Sequence, residues 1–343
     1  NGAMQVAQRG TSFTGVSGSG AYGADRWNFY NQDSTAALTV SNSSNAPSKF
    51  AKSTRIEVTT TSTPGVNDYG HFYYAMEGQD LQQLSFGTSD AQQFTVSFWC
   101  RTNVPATYQW NVYNTDSAVM EGRTFTVNAS NTWEYKTLTF SADATNGIDN
   151  DNDVSFRNLV LLYAGTNISS GTTPTTWTSH ALADRGAGLS NPTAFVGTVG
   201  NYFEITGVQL EVGDKATPFE HRSFGDELAR CKRYFSILSP GFEAIRGATG
   251  TVYSTANLQS FMQLPPMRVM PTLSDPDGNT TVVMSGRTST FTVSGSWNLV
   301  PFGVNNQPDN MLVGFSYNLA NNSNVNLPTS EAFLVLTEQI YAS

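Results

Sequence analysis

Alternation of apolar and polar residues marks many short segments of this chain as β-strands. The clearest run is 94–101, where apolar side chains take every second position: Phe94, Val96, Phe98 and Cys100. Period two over this length is typical of a strand with one buried face. The same pattern predicts further strands at 55–60, 108–113, 123–128, 133–140, 158–163 and 202–211.

The pattern changes after residue 222. Ser223 and Asp226 have the spacing of a capping box, in which a serine caps the helix and an acidic residue answers from the third position. Apolar residues then follow at helical spacing, and cationic residues occupy the end where the helix dipole favours them. The residues are Leu228, Cys231 and Phe235, and Arg230, Lys232 and Arg233. We expect one short helix over 224–234.

Strand patterns resume beyond the helix, at 251–253, 258–264, 281–284, 289–294, 311–318 and 332–340. Proline removes a ladder hydrogen bond, so Pro265, Pro266 and Pro271 are expected at strand ends or edges. Many short strands without intervening helices favour an all-β protein. We predict a jelly-roll β-sandwich over 1–221, a helical linker over 222–235 and a smaller C-terminal β-sandwich over 236–343.

Composition narrows the classes of function. Charged residues make up only 13% of the 343, and the formal net charge is −9. A nucleic-acid-binding protein normally carries a basic face, which this balance does not favour. No apolar run approaches the length of a membrane helix, and no signal peptide is recognisable. The chain begins without an initiator Met, so an anchoring segment upstream is compatible with the sequence.

Motifs for catalysis or cofactors are few. His71, His180 and His221 lack metal-ligand spacing, and Cys100 and Cys231 are interpreted as small apolar residues rather than a disulfide framework. The segment 18–23 matches GxGxxG, but neither the preceding residues nor those that follow suit a strand–loop–helix, so we interpret it as a flexible loop. These observations favour a protein that is not an enzyme.

Two sets of carboxylates remain as candidates. Pairs such as Asp116 with Glu121, or Asp149 with Asp153, could hydrolyse a glycan only if the fold held them across a cleft. Asp149, Asp151 and Asp153 alternate as calcium ligands do, although the glycine and closing glutamate of a calcium loop are missing. The alternative is a solvated turn. Weak calcium binding there is the one cofactor prediction.

Aromatic residues, 12% of the chain, are the third candidate set. Sugar rings stack on exposed aromatic faces, and Tyr108 and Trp110 share a strand face near Asn111, while Trp177 lies in a Thr-rich loop. We take Tyr108, Trp110 and Trp177 as candidate carbohydrate-binding residues. The alternative for each is packing inside the fold.

Three stretches resemble known proteins. Residues 1–10 with Ala24-Asp25-Arg26-Trp27 resemble the opening of phage tail-fibre-like and virion structural proteins. Residues 94–99 with 131–136 resemble the jelly rolls of carbohydrate-binding modules. Residues 203–213, with 216–220 and 230–235, look like the signature that joins such a jelly roll to a C-terminal domain. Pro266-Met267-Arg268 and Pro271 resemble the C-terminal domain of the same family.

The resemblance implies a jelly roll and a place on a phage virion, but it supplies no catalytic residue. It implies a tail-fibre or receptor-binding component that adheres to host-surface glycan, associates with other virion proteins and forms a homotrimer. One alternative is a capsid decoration or tail adaptor with a purely structural role. A second is a glycan depolymerase.

Overall fold

The computed structural model describes residues 1–33 and 35–237, together with Met267, Arg268 and the strands between 249 and 342. The chain divides into two compact units, Asn1–Glu227 and Leu228–Ser343. The division falls inside the segment that the sequence predicts as a helical linker. Pro265, Pro266 and Pro271 lie outside the described residues, so their expected positions stay predictions.

The first unit contains a six-stranded sheet, called sheet A. Its strands, in spatial order, are β1 (Ser12–Val16), β4 (Ala37–Ser43), β5 (Ser53–Thr60), β13 (Tyr202–Val212), β7 (Phe94–Thr102) and β10 (Glu134–Phe140). Neighbouring strands are antiparallel throughout. Sheet A therefore has no need of crossover helices.

Seven further strands form sheet B. In spatial order they are β12 (Thr178–Ser179), β9 (Val119–Thr126), β8 (Thr107–Asn114), β11 (Val154–Ala164), β6 (Tyr69–Glu77), β3 (Trp27–Asn31) and β2 (Ser19–Ala24). All of these pairings are antiparallel as well. The first unit is thus an all-β sandwich, as the sequence predicts.

One apolar cluster fills the space between the two sheets. In β7 the buried face predicted from period two is confirmed: Phe94, Val96, Phe98 and Cys100 are all buried. Sheet B contributes Phe29, Phe72 and Trp110 from its inner face, and Phe98 packs 4.7 Å from Trp110, centroid to centroid. Aromatic pairs of this kind bury large areas and account for much of the packing energy of such a core.

Short helical segments occupy the connections of the first unit. They are the helical turn α1 (Thr166–Ser169) and the 3-10 turns Gly78–Asp80, Gln82–Leu84, Leu182–Asp184 and Phe195–Gly197. The loop expected at 18–23 is wrong. Residues 19–23 belong to β2, where Gly20 leaves room beside the side chain of Asn28 on the neighbouring strand. Small residues here serve a tightly paired sheet edge.

The predicted helix is confirmed as α2 (Phe224–Lys232). Ser223 Oγ accepts from the N–H of Asp226 at 3.2 Å and donates to its carboxylate at 2.7 Å, which is the expected cap. Among the residues described, no helix is both long and apolar enough to cross a membrane.

The second unit is also built of antiparallel strands. A three-stranded sheet has the order β14 (Ser236–Ile237), β23 (Tyr341–Ala342) and β17 (Leu273–Ser274). A seven-stranded sheet has the order β19 (Thr290–Ser294), β18 (Thr281–Gly286), β22 (Ala332–Leu336), β15 (Thr249–Ser254), β16 (Asn257–Gln263), β21 (Met311–Asn318) and β20 (Asn298–Gly303). The all-β class predicted for this half is confirmed.

Both cysteines are buried. Burial raises the pKa of the Cys100 thiol to about 12. A thiol in this state is a poor nucleophile and metal ligand, so Cys100 serves as a small apolar side chain.

Candidate functional site

The outer surface of sheet B carries a row of aromatic side chains. Along β6, Phe72 is fully buried against the core, so by strand alternation Tyr69, His71 and Tyr73 point outward. Tyr30 lies opposite His71 on β3 and therefore shares this face. We call the surface formed by Tyr30, Tyr69, His71 and Tyr73 the tyrosine face.

The rings of the tyrosine face contact one another. Tyr69 stacks on His71, with centroids 5.3 Å apart and planes 12° apart. Tyr73 meets the other side of His71 edge-on at 5.4 Å, and Tyr30 lies 5.9 Å from His71. The three tyrosines are half-buried, whereas His71 is only 8% exposed. His71 thus holds three partly accessible phenol rings in fixed positions.

The electrostatics of the tyrosine face keep His71 neutral. Burial, together with the positive charges of Arg185 and Arg157, lowers the pKa of His71 to about 3. Burial also raises the pKa of Tyr73 to about 12. At neutral pH His71 and Tyr73 are therefore uncharged, and the charges that act on His71 are those of the two arginines.

A connection after β11 covers the neighbouring part of sheet B. Gln109, on the outer side of β8, donates to the carbonyl of Asp184 at 2.9 Å and accepts from the N–H of Gly188 at 2.6 Å. Asn111 donates to the carbonyl of Arg185 at 2.8 Å. These buried amides fix the segment 184–188 beside the tyrosine face.

The position of Arg185 follows from this anchoring. Its Nε donates to Nε2 of His180 at 2.8 Å, and the His180 ring lies 4.9 Å from the ring of Tyr113. Burial lowers the pKa of Arg185, and its electrostatic interactions with Tyr69 and Tyr113 partly offset that effect. The covering segment therefore adds a cation to the edge of the tyrosine face.

Two of the three aromatic residues chosen from the sequence lie in the core, which corrects their assignment. Tyr108 is 2% exposed and Trp110 is fully buried, both on the inner face of β8. Tyr108 donates to the carbonyl of Val104 at 2.7 Å, and Trp110 donates to Asn158 at 3.2 Å. Their rings are covered on both sides and offer no face to a sugar.

Trp177 is half-buried and packs onto the sandwich. Its ring stacks on Phe156 at 5.8 Å and meets Phe86 edge-on at 5.4 Å. Its indole nitrogen donates to the carbonyl of Ser141 at 2.8 Å. Trp177 therefore closes one part of the core and lies outside the tyrosine face.

The aspartates of the proposed calcium loop do not converge. Asp149, Asp151 and Asp153 are exposed, and in the described part of the chain no three acidic, histidine or cysteine side chains form a group able to hold a metal ion. The backbone carbonyls of Asp151 and Asp153 accept from the N–H groups of Gln79 and Gly78. This arrangement is a turn tied to the adjacent 3-10 segment, which corrects the calcium interpretation.

The other carboxylate pair is engaged in the fold itself. Glu121 is fully buried, forms an ion pair with Arg123 and accepts from Ser141. Asp116 is exposed and accepts from the N–H of Asp149 at 3.0 Å. Neither contact requires a ligand.

A cavity opens between the inner faces of the two sheets. The cavity measures about 250 Å³, with Trp27, Tyr74 and Asn158 on one wall and Val208 and Leu210 on another. Most of these side chains belong to the packed core or its margin. We therefore regard the tyrosine face as the better candidate for a functional surface.

The tyrosine face was missed in the sequence, although a signal was present. In the segment 69–74 every residue except Gly70 carries an aromatic ring. Because both faces of the strand are rich in rings, the run lacks the polar alternation by which the other strands were found.

Comparison with known proteins adds structural likenesses only. No protein-family model and no curated protein matches the chain. One similar solved structure is the enzymatically active domain of tailspike protein 4 of bacteriophage CBA120, at 14% identity and a TM-score of 0.30, covering 55% of this chain and 19% of that one.

Several others are carbohydrate-binding modules. A family 11 module of a cellulosomal cellulase of Clostridium thermocellum is 10% identical, with a TM-score of 0.30, covering 56% of this chain and 91% of that one. A module crystallised with β-1,4-galactotriose is 7% identical, with a TM-score of 0.27, covering 54% of this chain and 88% of that one. Likenesses of this size support no argument about function, so the functional argument depends on the tyrosine face.

Proposed function

We propose that the protein binds a glycan on the tyrosine face of its first unit and does not cleave it. The observation that carries this proposal is the set of three half-buried tyrosine rings held around a neutral, buried His71. Sugar rings bind to aromatic faces of this kind, and the adjoining Arg157 and Arg185 can hydrogen-bond to substituents at the sugar's edge.

Binding without cleavage is also part of the proposal. Glycoside hydrolysis generally needs two carboxyl groups placed on either side of the scissile bond. The charges that lower the pKa of His71 in the middle of the tyrosine face are those of two arginines. We propose that this surface holds a sugar without supplying the pair of carboxyl groups that cleavage requires.

We place this activity on a phage particle, in a tail fibre or receptor-binding component that contacts host-surface glycan. The support is the resemblance of residues 1–10, 94–99 and 203–220 to virion proteins and carbohydrate-binding modules. A purely structural role as a decoration or adaptor protein is the alternative. That alternative requires no glycan binding at all, which makes the two separable.

Glycan binding is tested with the full-length protein on immobilised host-surface polysaccharides. Replacing both Tyr30 and Tyr69 with Ala removes two accessible rings, each worth about 1 kcal/mol, so affinity should fall about tenfold or more. The matched control is Tyr135→Ala, because Tyr135 is an exposed tyrosine on sheet A. Equal binding by both variants, or no binding by the parent, would overturn the proposal.

The absence of cleavage is tested on the same polysaccharides. Prolonged incubation should leave their chain length unchanged by size-exclusion chromatography. Release of oligosaccharides that survives the double tyrosine substitution would point to a carboxylate pair elsewhere.

We also propose a homotrimer. Phe224 is 56% exposed at the start of α2, so this helix presents an apolar side chain that association could cover. Single sugar contacts of millimolar affinity are worth only about 4 kcal/mol, and three linked sites would gain avidity. Light scattering should give three times the chain mass of 37.2 kDa. A monomer at micromolar concentration would refute the assembly.

A further inference from the structure

Two arginines border the tyrosine face. Arg157 lies on β11 between Phe156 and Asn158, which are buried on the inner side, so Arg157 points outward and is exposed. In the sheet register it is flanked by Ala75 of β6 and Tyr113 of β8. Its partner Ala75 is two residues from Tyr73 on β6 and shares the same face, so Arg157 lies next to the tyrosine face.

Arg185 reaches the same area from the covering segment. Its hydrogen bond to His180, which packs on Tyr113, places the guanidinium near β8, and its electrostatic interaction with Tyr69 brings it close to β6. Both positive charges lower the pKa of His71, so Arg157 and Arg185 act on the same side chain. The two cations thus share one part of the outer surface.

Neither cation has a carboxylate partner within ion-pair distance among the residues described. Other arginines of the first unit do have one, namely Arg9, Arg55, Arg101, Arg123 and Arg222. The nearby carboxylate of Asp184 accepts from the backbone N–H of Thr172 at 2.9 Å, which fixes it to its own loop. In a chain with a net charge of −9, this is a local excess of positive charge.

We propose that Arg157 and Arg185 form a subsite for the carboxylate of an acidic sugar, such as a uronic acid, whose ring lies on the tyrosine face. This inference rests on the proposed glycan-binding function and specifies its ligand. It predicts that the protein selects acidic over neutral glycans.

The chemistry favours this occupant. A guanidinium is planar and presents paired N–H donors that match the two oxygens of a carboxylate. In a uronic acid the carboxylate is attached directly to a ring carbon. One sugar residue can therefore stack on a tyrosine and reach an adjacent arginine at the same time. Since Arg185 is half-buried, a bound anion would also offset the unfavourable burial of its charge.

The test uses the full-length protein and matched pairs of glycans. Uronate-containing and sialylated oligosaccharides are compared with the same oligosaccharides after reduction of the carboxyl group, and with neutral chains that carry sulfate esters. We expect carboxyl reduction to weaken binding of the preferred acidic glycan about tenfold or more. Binding of the acidic form should also weaken as salt is raised.

Substitutions separate the inference from the proposed function. Arg157→Gln and Arg185→Gln should bind the acidic and reduced forms equally, while Arg157→Lys should recover part of the preference. Arg222→Gln removes the same charge elsewhere and should leave the preference intact. The Tyr30 and Tyr69 double variant should lose binding of both forms.

Three other outcomes would contradict the subsite, and one of them would also contradict the proposed function. If reduced glycans bind the tyrosine face as well as acidic ones, the carboxylate subsite is wrong and glycan binding stands. A preference for sulfate esters over carboxylates would also refute the subsite. If binding is unaffected by the tyrosine substitutions, the proposed function fails together with the subsite.

Discussion

The outer faces of the two sheets use the same side chains in opposite ways. On sheet A, the buried carboxylate of Glu204 accepts from Arg55 at 3.2 Å and from Arg101 at 2.9 Å, and Arg55 lies 3.8 Å over the ring of Tyr202. On sheet B, Arg157 and Arg185 lie beside tyrosines without an ion-pair carboxylate among the described residues. On sheet A, the carboxylate of Glu204 completes a cluster of arginine and tyrosine side chains. Where such a carboxylate is missing, a ligand can supply it.

The largest effect expected from this difference is on sheet A. Glu204→Gln removes the negative charge that pairs with two arginines. Removing one partner of a buried ion pair is strongly destabilising, because the remaining charge is left uncompensated. We expect the free energy of unfolding to fall by about 2–4 kcal/mol, measured by urea denaturation. Glu57→Gln is the control, because Glu57 is 38% exposed and should change stability by less than about 1 kcal/mol. Equal losses of stability for Glu204→Gln and Glu57→Gln would mean that the burial of Glu204 does not strengthen its ion pairs.

The next effect concerns sheet B and pH. His71 has a pKa of about 3 in the folded protein against 6.5 in the unfolded chain. Between these values only the unfolded chain binds the proton, so stability falls as pH falls, by up to about 1.4 kcal/mol per unit. His71→Gln should remove this part of the slope in denaturation curves collected from pH 7 to 4.

The groups that face His71 are the phenols of Tyr30, Tyr69 and Tyr73, and the charges felt there are those of Arg157 and Arg185. The exposed His221 provides the matched control, and His221→Gln should leave the slope as it is in the parent. Parallel curves for the parent and His71→Gln would contradict the assignment.

A smaller, local effect is expected where the covering segment meets β8. Gln109→Ala removes the hydrogen bonds to Asp184 and Gly188, each worth about 1 kcal/mol, so the segment should detach more often. Tryptic cleavage after Arg185 should then become faster under native conditions. Gln83→Ala is the control, because Gln83 is exposed, donates to the carbonyl of Asp80 and should leave the cleavage rate unchanged.

The smallest effect is expected from calcium. Because Asp149, Asp151 and Asp153 do not converge, millimolar calcium should leave the Tm unchanged within about 1 °C, since stabilisation by mass action requires binding to the folded state. A clear rise in Tm that Asp151→Ala abolishes would restore the calcium interpretation.

The strands were predictable, but the surfaces they present were not. Period two located β7 and β8 and showed which residues share a face. In β7 the alternate side chains differ in polarity, so the buried face was evident. In β8 the outer residues Gln109 and Asn111 are buried as well, beneath the covering segment. The alternation of Tyr108 and Trp110 with these amides marked the apolar face all the same, so assigning the two rings to a sugar site went against the pattern.

The candidate site depends on contacts between residues that are distant in sequence. Tyr30, Tyr69, Arg157 and Arg185 come together only through the order β3-β6-β11-β8 in sheet B and the path of one connection. No local pattern encodes that order. By contrast, the cap of α2 involves residues three positions apart, and it was predicted correctly.

The position of β13 has a consequence for how the chain acquires its structure during synthesis. This strand is the last in the first unit, yet it lies in the middle of sheet A, between β5 and β7. Until residue 212 has left the ribosome, the pair β4–β5 and the pair β7–β10 have no strand to connect them. Closing such distant contacts is slow, and unpaired strand edges stay exposed meanwhile. A nascent chain that stalls before 202 should therefore need a chaperone, whereas one released after 212 can complete the sheet unaided.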